Sequence, residues 1–327
     1  MSRPPTFLPP PCASARALRT SRGDFAVLDA VPGAGVDRRG IVLLLPGFTG
    51  SKEDFIALLE PLAGAGYRAV AVDGRGQYET SGSRDDQSPY AQGELALDVL
   101  AQAAALDDSV PLHLLGHSLG GQIARAAVLL DPRPFATLTL MSSGPAAVVP
   151  EQQTRAMMLA DALTALSMDE VWQAMQAMEP PPPQDAQDAQ DDARESPDDA
   201  RESPDDARES PDDGQESLDS PPAPASAAAA HEAALRARWL LHSPAQLIAT
   251  AEQLSTEPDR VAELAALPLP KHVLSGERDD TWPLPLLDDM AERLHAHRTV
   301  IHGAEHSPNT DRPTETAAAL TGFWDRH

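Results

Sequence analysis

A serine between two glycines is the first feature of this sequence whose residue types and spacing suggest chemistry. Ser118 stands in the stretch LLGHSLGG, with Gly116 two positions before it and Gly120 two positions after it. A sharp turn from a strand into a helix requires glycines at those places, because any side chain there would collide with the neighbouring strand or helix. A short apolar run precedes the turn and a helical pattern follows it. We therefore interpret Ser118 as a nucleophile, with an ordinary glycine-rich loop as the alternative.

A nucleophilic serine needs a general base, and the histidine that follows the last predicted strand is the best placed for this role. His306 lies in the turn GAEHSP after an apolar run at 299–301. Catalytic groups of open α/β sheets collect beyond the C-terminal ends of the strands. His302, four residues earlier, is the second choice.

The base in turn needs an acid to orient it, and two aspartates follow the preceding predicted strand at 272–274. Asp279 and Asp280 stand in the stretch GERDDTWP. We favour Asp279 as the acid and interpret Asp280 as a capping or solvated residue.

Two backbone N–H groups must also face the oxygen on which negative charge develops. The N–H of Leu119, directly after the serine, is one candidate. The other is the N–H of Phe48 in the loop LLLPGFTGSKEDF, where Gly47 allows the backbone to turn.

The elements that must position these groups alternate along the chain. Short runs of Val, Ile and Leu predict buried parallel strands at 41–45, 69–72, 112–115, 137–141, 272–274 and 299–301, and the segment 23–30 predicts a hairpin strand at the sheet edge. Segments with helical spacing lie between them, at 52–65, 92–106, 119–130, 284–295 and 313–324. A strand followed by a helix, repeated, predicts an α/β fold with a doubly wound, mostly parallel sheet.

One long segment interrupts this alternation. Residues 146–256 contain four helical stretches, at 151–166, 168–178, 227–242 and 244–254. Between them the seven-residue sequence DDARESP occurs three times, from 191 to 211. Each copy contains proline and no apolar residue larger than alanine, so it cannot hold a long helix or bury a seam. We predict a disordered acidic loop at about 180–225 in a helical insertion, a disordered tail at 1–17, and a core domain made of 18–145 and 257–327.

Composition restricts the class of protein. The 327 residues carry a formal net charge of −25, of which −12 falls within residues 184–220. Such a charge argues against nucleic acid or an anionic membrane as a partner. A single cysteine, Cys12, excludes an intramolecular disulfide and a cysteine-based metal site. The N-terminal segment has no long apolar run and no stretch of 18 apolar residues occurs, so we expect a cytoplasmic protein without a membrane span.

Taken together, five motifs resemble the α/β-hydrolase superfamily. They are PGFTG at 46–50, DGRG at 73–76, GHSLG at 116–120, GERD at 276–279 and GAEHSP at 303–308, and they follow that superfamily's order and spacing. The resemblance covers 40–144 and about 269–324. The chain departs from it at Pro46, where many members have histidine, and in the segment GRGQYETSG after Asp73. We interpret Asp73 and Arg75 as structural residues that order this loop.

The resemblance implies a serine hydrolase whose insertion, placed after the sixth strand, forms a cap over the site. The expected chemistry is acyl transfer from a small or lipid-like ester through a Ser118–His306–Asp279 triad, with no metal or organic cofactor. An acyltransferase or a carbon–carbon hydrolase on the same fold is the alternative, and a non-catalytic binding protein is a third. The methionine-rich helices of the insertion suit either an apolar acyl pocket or ordinary helix packing.

Overall fold

The protein is described by a computed structural model over residues 2–106, 109–178 and 227–327. One eight-stranded sheet runs through it in the order β1-β2-β4-β3-β5-β6-β7-β8. The strands are β1 Ala13–Thr20, β2 Gly23–Ala30, β3 Gly40–Leu45, β4 Tyr67–Val72, β5 Leu112–His117, β6 Thr137–Met141, β7 Lys271–Gly276 and β8 His297–Ile301. The helices are α1 Ile56–Gly64, α2 Gln92–Ala104, α3 Leu119–Leu130, α4 Pro150–Ala165, α5 Met168–Met178, α6 Ala227–Leu241, α7 Pro244–Thr256, α8 Val261–Ala265, α9 Leu284–Leu294, α10 Pro308–Asp311 and α11 Pro313–Trp324.

The central strands are parallel and are buried on both faces. Every residue of β3 is buried, and it pairs in parallel with β4 on one side and β5 on the other. Ile41 and Leu43 belong to one hydrophobic core, whereas Val42 and Leu44 belong to a second core on the opposite face. This division follows from the two-residue period of a strand, and it explains why these runs are continuously apolar. The predicted α/β fold with a mostly parallel sheet is confirmed.

Residues 13–17 correct part of the sequence-based prediction of a disordered tail at 1–17. Ala13–Thr20 forms β1, the edge strand of the sheet, and pairs antiparallel with β2 along its whole length. The predicted hairpin strand therefore lies one position inside the edge. Most β1 side chains are exposed and only Leu18 is buried, so backbone hydrogen bonds hold the strand. A strand of this kind leaves no hydrophobic pattern in the sequence.

Among the described residues, five helices, α4 to α8, lie between β6 and β7, and the first four, α4 to α7, fall within residues 146–256. They enclose a small core of their own, made of Leu163, Met168, Val171, Trp172, Leu235, Trp239 and Leu247. Met168 is buried here, while Met158 and Met178 are exposed. The acidic loop predicted at about 180–225 lies outside the described residues.

Among the residues that the structure describes, no helix has both the length and the apolar character needed to cross a bilayer.

Candidate active site

Ser118 occupies a strained turn between β5 and α3. Its backbone has φ 54° and ψ −121°, a conformation that non-glycine residues rarely adopt. A side chain at Gly116 would overlap the backbone of Gly120, and one at Gly120 would overlap the carbonyl oxygens of Leu45 and Pro46. Gly116 thus allows the tight turn from β5 into α3, and Gly120 allows α3 to pack against the end of β3. Backbone strain of this kind is concentrated at functional sites, and here it occurs at the single residue between the end of β5 and the start of α3.

His306 and Asp279 meet beyond the ends of β8 and β7. The Nδ1 atom of His306 lies 3.0 Å from each carboxylate oxygen of Asp279. The Asp279 side chain has no exposed surface, and its Oδ1 also accepts the N–H groups of Thr281 and Trp282 at 2.9 and 3.1 Å. A carboxylate can only accept at this position, so the proton of neutral His306 resides on Nδ1. That tautomer leaves Nε2 as a free acceptor, which is what a general base requires.

The two alternative residues lie elsewhere. Asp280 is exposed and accepts a hydrogen bond from the side chain of Gln152 at 2.8 Å. The side chain of His302 is 89% exposed and contacts Glu277 through Nδ1 at 3.2 Å. Neither residue is found in the contacts that link Asp279 to His306.

Trp282 supports the histidine, and its role was not foreseen from the sequence. The indole is fully buried, and its ring stacks on the His306 ring with centroids 6.3 Å apart. Its Nε1 donates to the carbonyl oxygens of Ala146 and Ala147, at 3.0 and 3.2 Å. A side chain at Gly144 would overlap this indole, so the close packing depends on that glycine. Only the tertiary contact reveals this pairing of β6 and β7 loops.

His117, directly before the serine, contacts the backbone of the histidine loop. Its Nε2 lies 2.9 Å from the carbonyl oxygen of His306, and because a carbonyl only accepts, Nε2 must carry the proton. Burial lowers the pKa of His117 to about 4, so the ring is neutral around pH 7. This contact of His117 was not predicted from the sequence.

The two backbone groups expected to bind an oxyanion are both close to Ser118. Leu119 is the first residue of α3, so its N–H has no acceptor within the helix. Gly47 approaches the serine so closely that a Cβ on it would lie 3.3 Å from the Ser118 Cβ. Phe48, the next residue, lines the same cavity as Ser118 and His306.

That cavity has a volume of about 420 Å³. Loops that follow the strands supply one wall, which includes Gly47, Phe48, Ser118 and His306. Helices α4 and α7 supply the other wall, with Gln152, Arg155, Ala156, Leu159 and Leu254. The wall is apolar near α7 and polar near the start of α4. A volume of this size suits a small molecule.

Within residues 2–106, 109–178 and 227–327, no three His, Cys, Asp or Glu side chains are grouped closely enough to hold a metal ion.

Comparison with known proteins defines the class. Residues 40–313 match the model of the alpha/beta hydrolase fold family, so the chain belongs to this family, and membership supports hydrolytic activity.

Two curated relatives were matched over part of their length. The first, named as a carbamate hydrolase, RutD, from Variovorax paradoxus, is 33% identical over 102 residues, which are 31% of this chain and 37% of the relative. The second is a 2-hydroxy-6-oxononadienedioate/2-hydroxy-6-oxononatrienedioate hydrolase from Dechloromonas aromatica. It is 32% identical over 140 residues, which are 40% of this chain and 45% of that protein.

The fold is also similar to solved structures. A thermophilic esterase from Thermogutta terrifontis superposes with a TM-score of 0.64 at 19% identity, over 96% of this chain and 99% of the other. At this identity the similarity concerns the fold alone. The matched regions span less than half the length of either curated relative.

Proposed function

We propose that the protein is a serine hydrolase that cleaves a carboxylic ester or a similar acyl bond. The observation that supports this proposal is the contact of His306 Nδ1 with both carboxylate oxygens of Asp279. Ser118, whose φ is positive, lines the same cavity as His306. Each feature has a structural cost. Burying a carboxylate and straining the backbone of a serine both cost folding free energy, and such costs are typical of catalytic sites.

In the proposed mechanism, His306 Nε2 takes the proton of Ser118 as Oγ attacks the substrate carbonyl carbon. The N–H groups of Phe48 and Leu119 bind the oxyanion of the tetrahedral intermediate. His306 then donates its proton to the leaving alcohol, and the acyl-enzyme forms. Water attacks the acyl carbon with His306 again as base, which releases the acid and restores Ser118. Asp279 keeps the imidazole in the required tautomer and stabilises its charged form.

We propose that α4 to α7 act as a cap over this site. Their contribution to the cavity wall comes from α4 and α7, so the shape of the acyl pocket depends on how these two helices pack. The two helices contact each other along the buried alanines Ala156, Ala160 and Ala251.

A second candidate is hydrolysis of a carbon–carbon bond by the same residues. It is favoured by one observation, the 32% identity with a relative named for a hydroxy-oxo-dienedioate substrate. In this reaction the carbonyl to be attacked belongs to a ketone, and the leaving group is carbon.

The test is hydrolysis of p-nitrophenyl acetate, butyrate and octanoate, together with labelling by a fluorophosphonate. We expect wild type to be active and labelled, and Ser118→Ala to lose both. Ser275→Ala is the matched control, because Ser275 is fully buried in β7 outside the cavity; it should remain active and labelled. Folded wild type that neither labels nor turns over any ester would contradict the assignment of Ser118. Labelling without ester turnover would instead favour the carbon–carbon reaction.

A further inference from the structure

The loop that follows β4 places a buried glutamine beside the proposed oxyanion site. This loop begins at Asp73, which is fully buried and accepts hydrogen bonds from the backbone N and the Nζ of Lys52, at 2.7 and 2.8 Å. Four residues later, Gln77 is only 5% exposed. The side chain therefore lies on a well-anchored loop and points into the protein.

Both ends of the Gln77 amide have a partner, and the partners define its orientation. Oε1 accepts the backbone N–H of Gly74 at 2.9 Å, and Nε2 donates to the carbonyl oxygen of Gly47 at 3.0 Å. A backbone N–H can only donate and a carbonyl can only accept. The reversed amide would lose both hydrogen bonds, so only one orientation is compatible with these neighbours.

The carbonyl that Gln77 binds belongs to the peptide unit that also carries the Phe48 N–H. A trans peptide is planar, and its C=O and N–H point in opposite directions. Holding the Gly47 oxygen on the side of Gln77 therefore directs the Phe48 N–H to the other side. Within the part of the chain that the structure describes, the other hydrogen bond to this oxygen comes from the same loop, from the Gly50 N–H at 3.2 Å. Gln77 is thus the anchor that ties the peptide to the rest of the core.

We propose that Gln77 is a positioning residue for the oxyanion hole, which fixes the Phe48 N–H toward the oxygen of the substrate carbonyl. This inference rests on the proposed acyl-transfer function. Gln77 itself does not contact the reacting atoms. Its effect is expected on the chemical step, because an oxyanion donor acts most strongly when the charge has developed.

Two substitutions test the proposal. Gln77→Met keeps the length and volume of the side chain but removes the donor. Loss of a whole oxyanion donor typically lowers kcat by about 10² to 10³, so a misdirected donor should lower kcat by about 10- to 100-fold, with KM within about threefold of wild type. The second-order rate of fluorophosphonate labelling should fall by a similar factor.

Gln77→Glu gives a readout that a purely structural role would not produce. A protonated carboxyl group can accept from Gly74 and donate to the Gly47 oxygen, as glutamine does, whereas an ionised one leaves that oxygen without its donor. The ratio of variant to wild-type kcat should therefore fall by at least about tenfold between pH 5.5 and 8.5. Taking the ratio removes the pH effects that both proteins share.

Thr80→Val is the matched control. Thr80 lies in the same loop, is itself buried, and also makes two side-chain hydrogen bonds. Its hydroxyl accepts from the Ala26 N–H at 2.9 Å and donates to the Asp73 carbonyl oxygen at 2.9 Å, and neither bond involves Gly47. The Thr80→Val variant should be destabilised to a similar degree as Gln77→Met and should keep the kcat of wild type.

Two outcomes with an active wild type would overturn the inference and leave the proposed function standing. In the first, Gln77→Met keeps kcat within about threefold of wild type; in the second, Thr80→Val lowers kcat as much as Gln77→Met does. If Gln77→Met does not fold, the inference is overturned when the ratio of Gln77→Glu kcat to wild-type kcat does not change with pH. Inactive, unlabelled wild type would instead overturn the proposed function itself.

Discussion

Replacing Asp279 with asparagine tests the proposed triad through the tautomer of His306. The Oδ1 atom of Asp279 accepts two backbone N–H groups, from Thr281 and Trp282. These groups can only donate, so the carbonyl oxygen of the asparagine must take the same place. Its NH₂ group then occupies the position of Oδ2, which lies 3.0 Å from His306 Nδ1. Two donors would face each other unless the proton of His306 moves to Nε2.

The magnitude follows from the contacts that the substitution removes. With the proton on Nε2, His306 cannot accept the proton of Ser118. Restoring the productive tautomer leaves a buried donor without an acceptor, at a cost of about 1–3 kcal/mol, and the imidazolium that forms during the reaction loses a charge-assisted hydrogen bond worth about 1.5–3 kcal/mol. The two effects together raise the barrier by about 2.5–6 kcal/mol. At 1.36 kcal/mol for each factor of ten, kcat should fall by about 10²- to 10⁴-fold.

The assay is steady-state hydrolysis of p-nitrophenyl butyrate, with thermal unfolding measured in parallel. Asp280→Asn is the matched control, since Asp280 is the adjacent aspartate, is exposed, and contacts the polar side chains of Gln152, Arg155 and Thr281. We expect the control to keep its activity within about threefold. A folded Asp279→Asn variant that retains more than a tenth of wild-type kcat would refute the role of Asp279, and a large loss in Asp280→Asn would move the acid to the neighbouring residue.

Three further predictions concern other parts of the molecule. Gly120→Ala should lower the free energy of unfolding in urea by at least about 2 kcal/mol, because the added methyl group overlaps two carbonyl oxygens. Gly322→Ala is the control, since its methyl group meets nothing within 4 Å; equal losses in the two variants would contradict the packing argument. Burial lowers the pKa of His272 in the folded protein to about 3, whereas its pKa in the unfolded chain is near 6.5. As the pH falls below about 6.5, His272 is protonated in the unfolded chain but not in the folded protein, so the free energy of unfolding decreases. Between pH 7 and pH 5, the free energy of unfolding of His272→Phe in urea should therefore decrease by about 2 kcal/mol less than that of wild type. Parallel pH profiles for the two proteins would refute this. Deleting residues 184–220, which carry a net charge of −12, should leave kcat/KM and its salt dependence unchanged; a changed salt dependence would point to a role of these charges at the site.

The acidic residues after β7 show where sequence reasoning reaches its limit. Chain order placed Asp279 and Asp280 at the correct edge of the sheet, because parallel strands end there together. Which carboxylate faces His306 depends on the turn at Thr281 and Trp282, whose N–H groups hold Asp279 inward. Nothing in the letters DD distinguishes the two. The preference for Asp279 agrees with the geometry, and its catalytic role stays a prediction.

Residues that act through another element were missed for a similar reason. Trp282 reaches carbonyl groups that lie more than a hundred residues earlier, and Gln77 reaches the Gly47 carbonyl from the loop of a neighbouring strand. A polar or aromatic residue in a loop has no periodic pattern, so its partner is not visible in the sequence. The edge strand β1 escaped for a different reason, since backbone hydrogen bonds with exposed side chains require no hydrophobic alternation.

Local features of the sequence predict most of this fold. The alternation of strands and helices, the α/β class and the glycines of the turn at Ser118 depend on periodicity and on steric requirements a few residues long, although the edge strand β1 is missed. The same alternation predicts that candidate catalytic groups lie at one end of the sheet. The pairing of Asp279 with His306, the cavity wall formed by α4 and α7, and the hydrogen bond between Gln77 and Gly47 are visible only in the folded structure. These contacts join segments far apart in the chain, where packing of the whole core determines distances of a few ångströms.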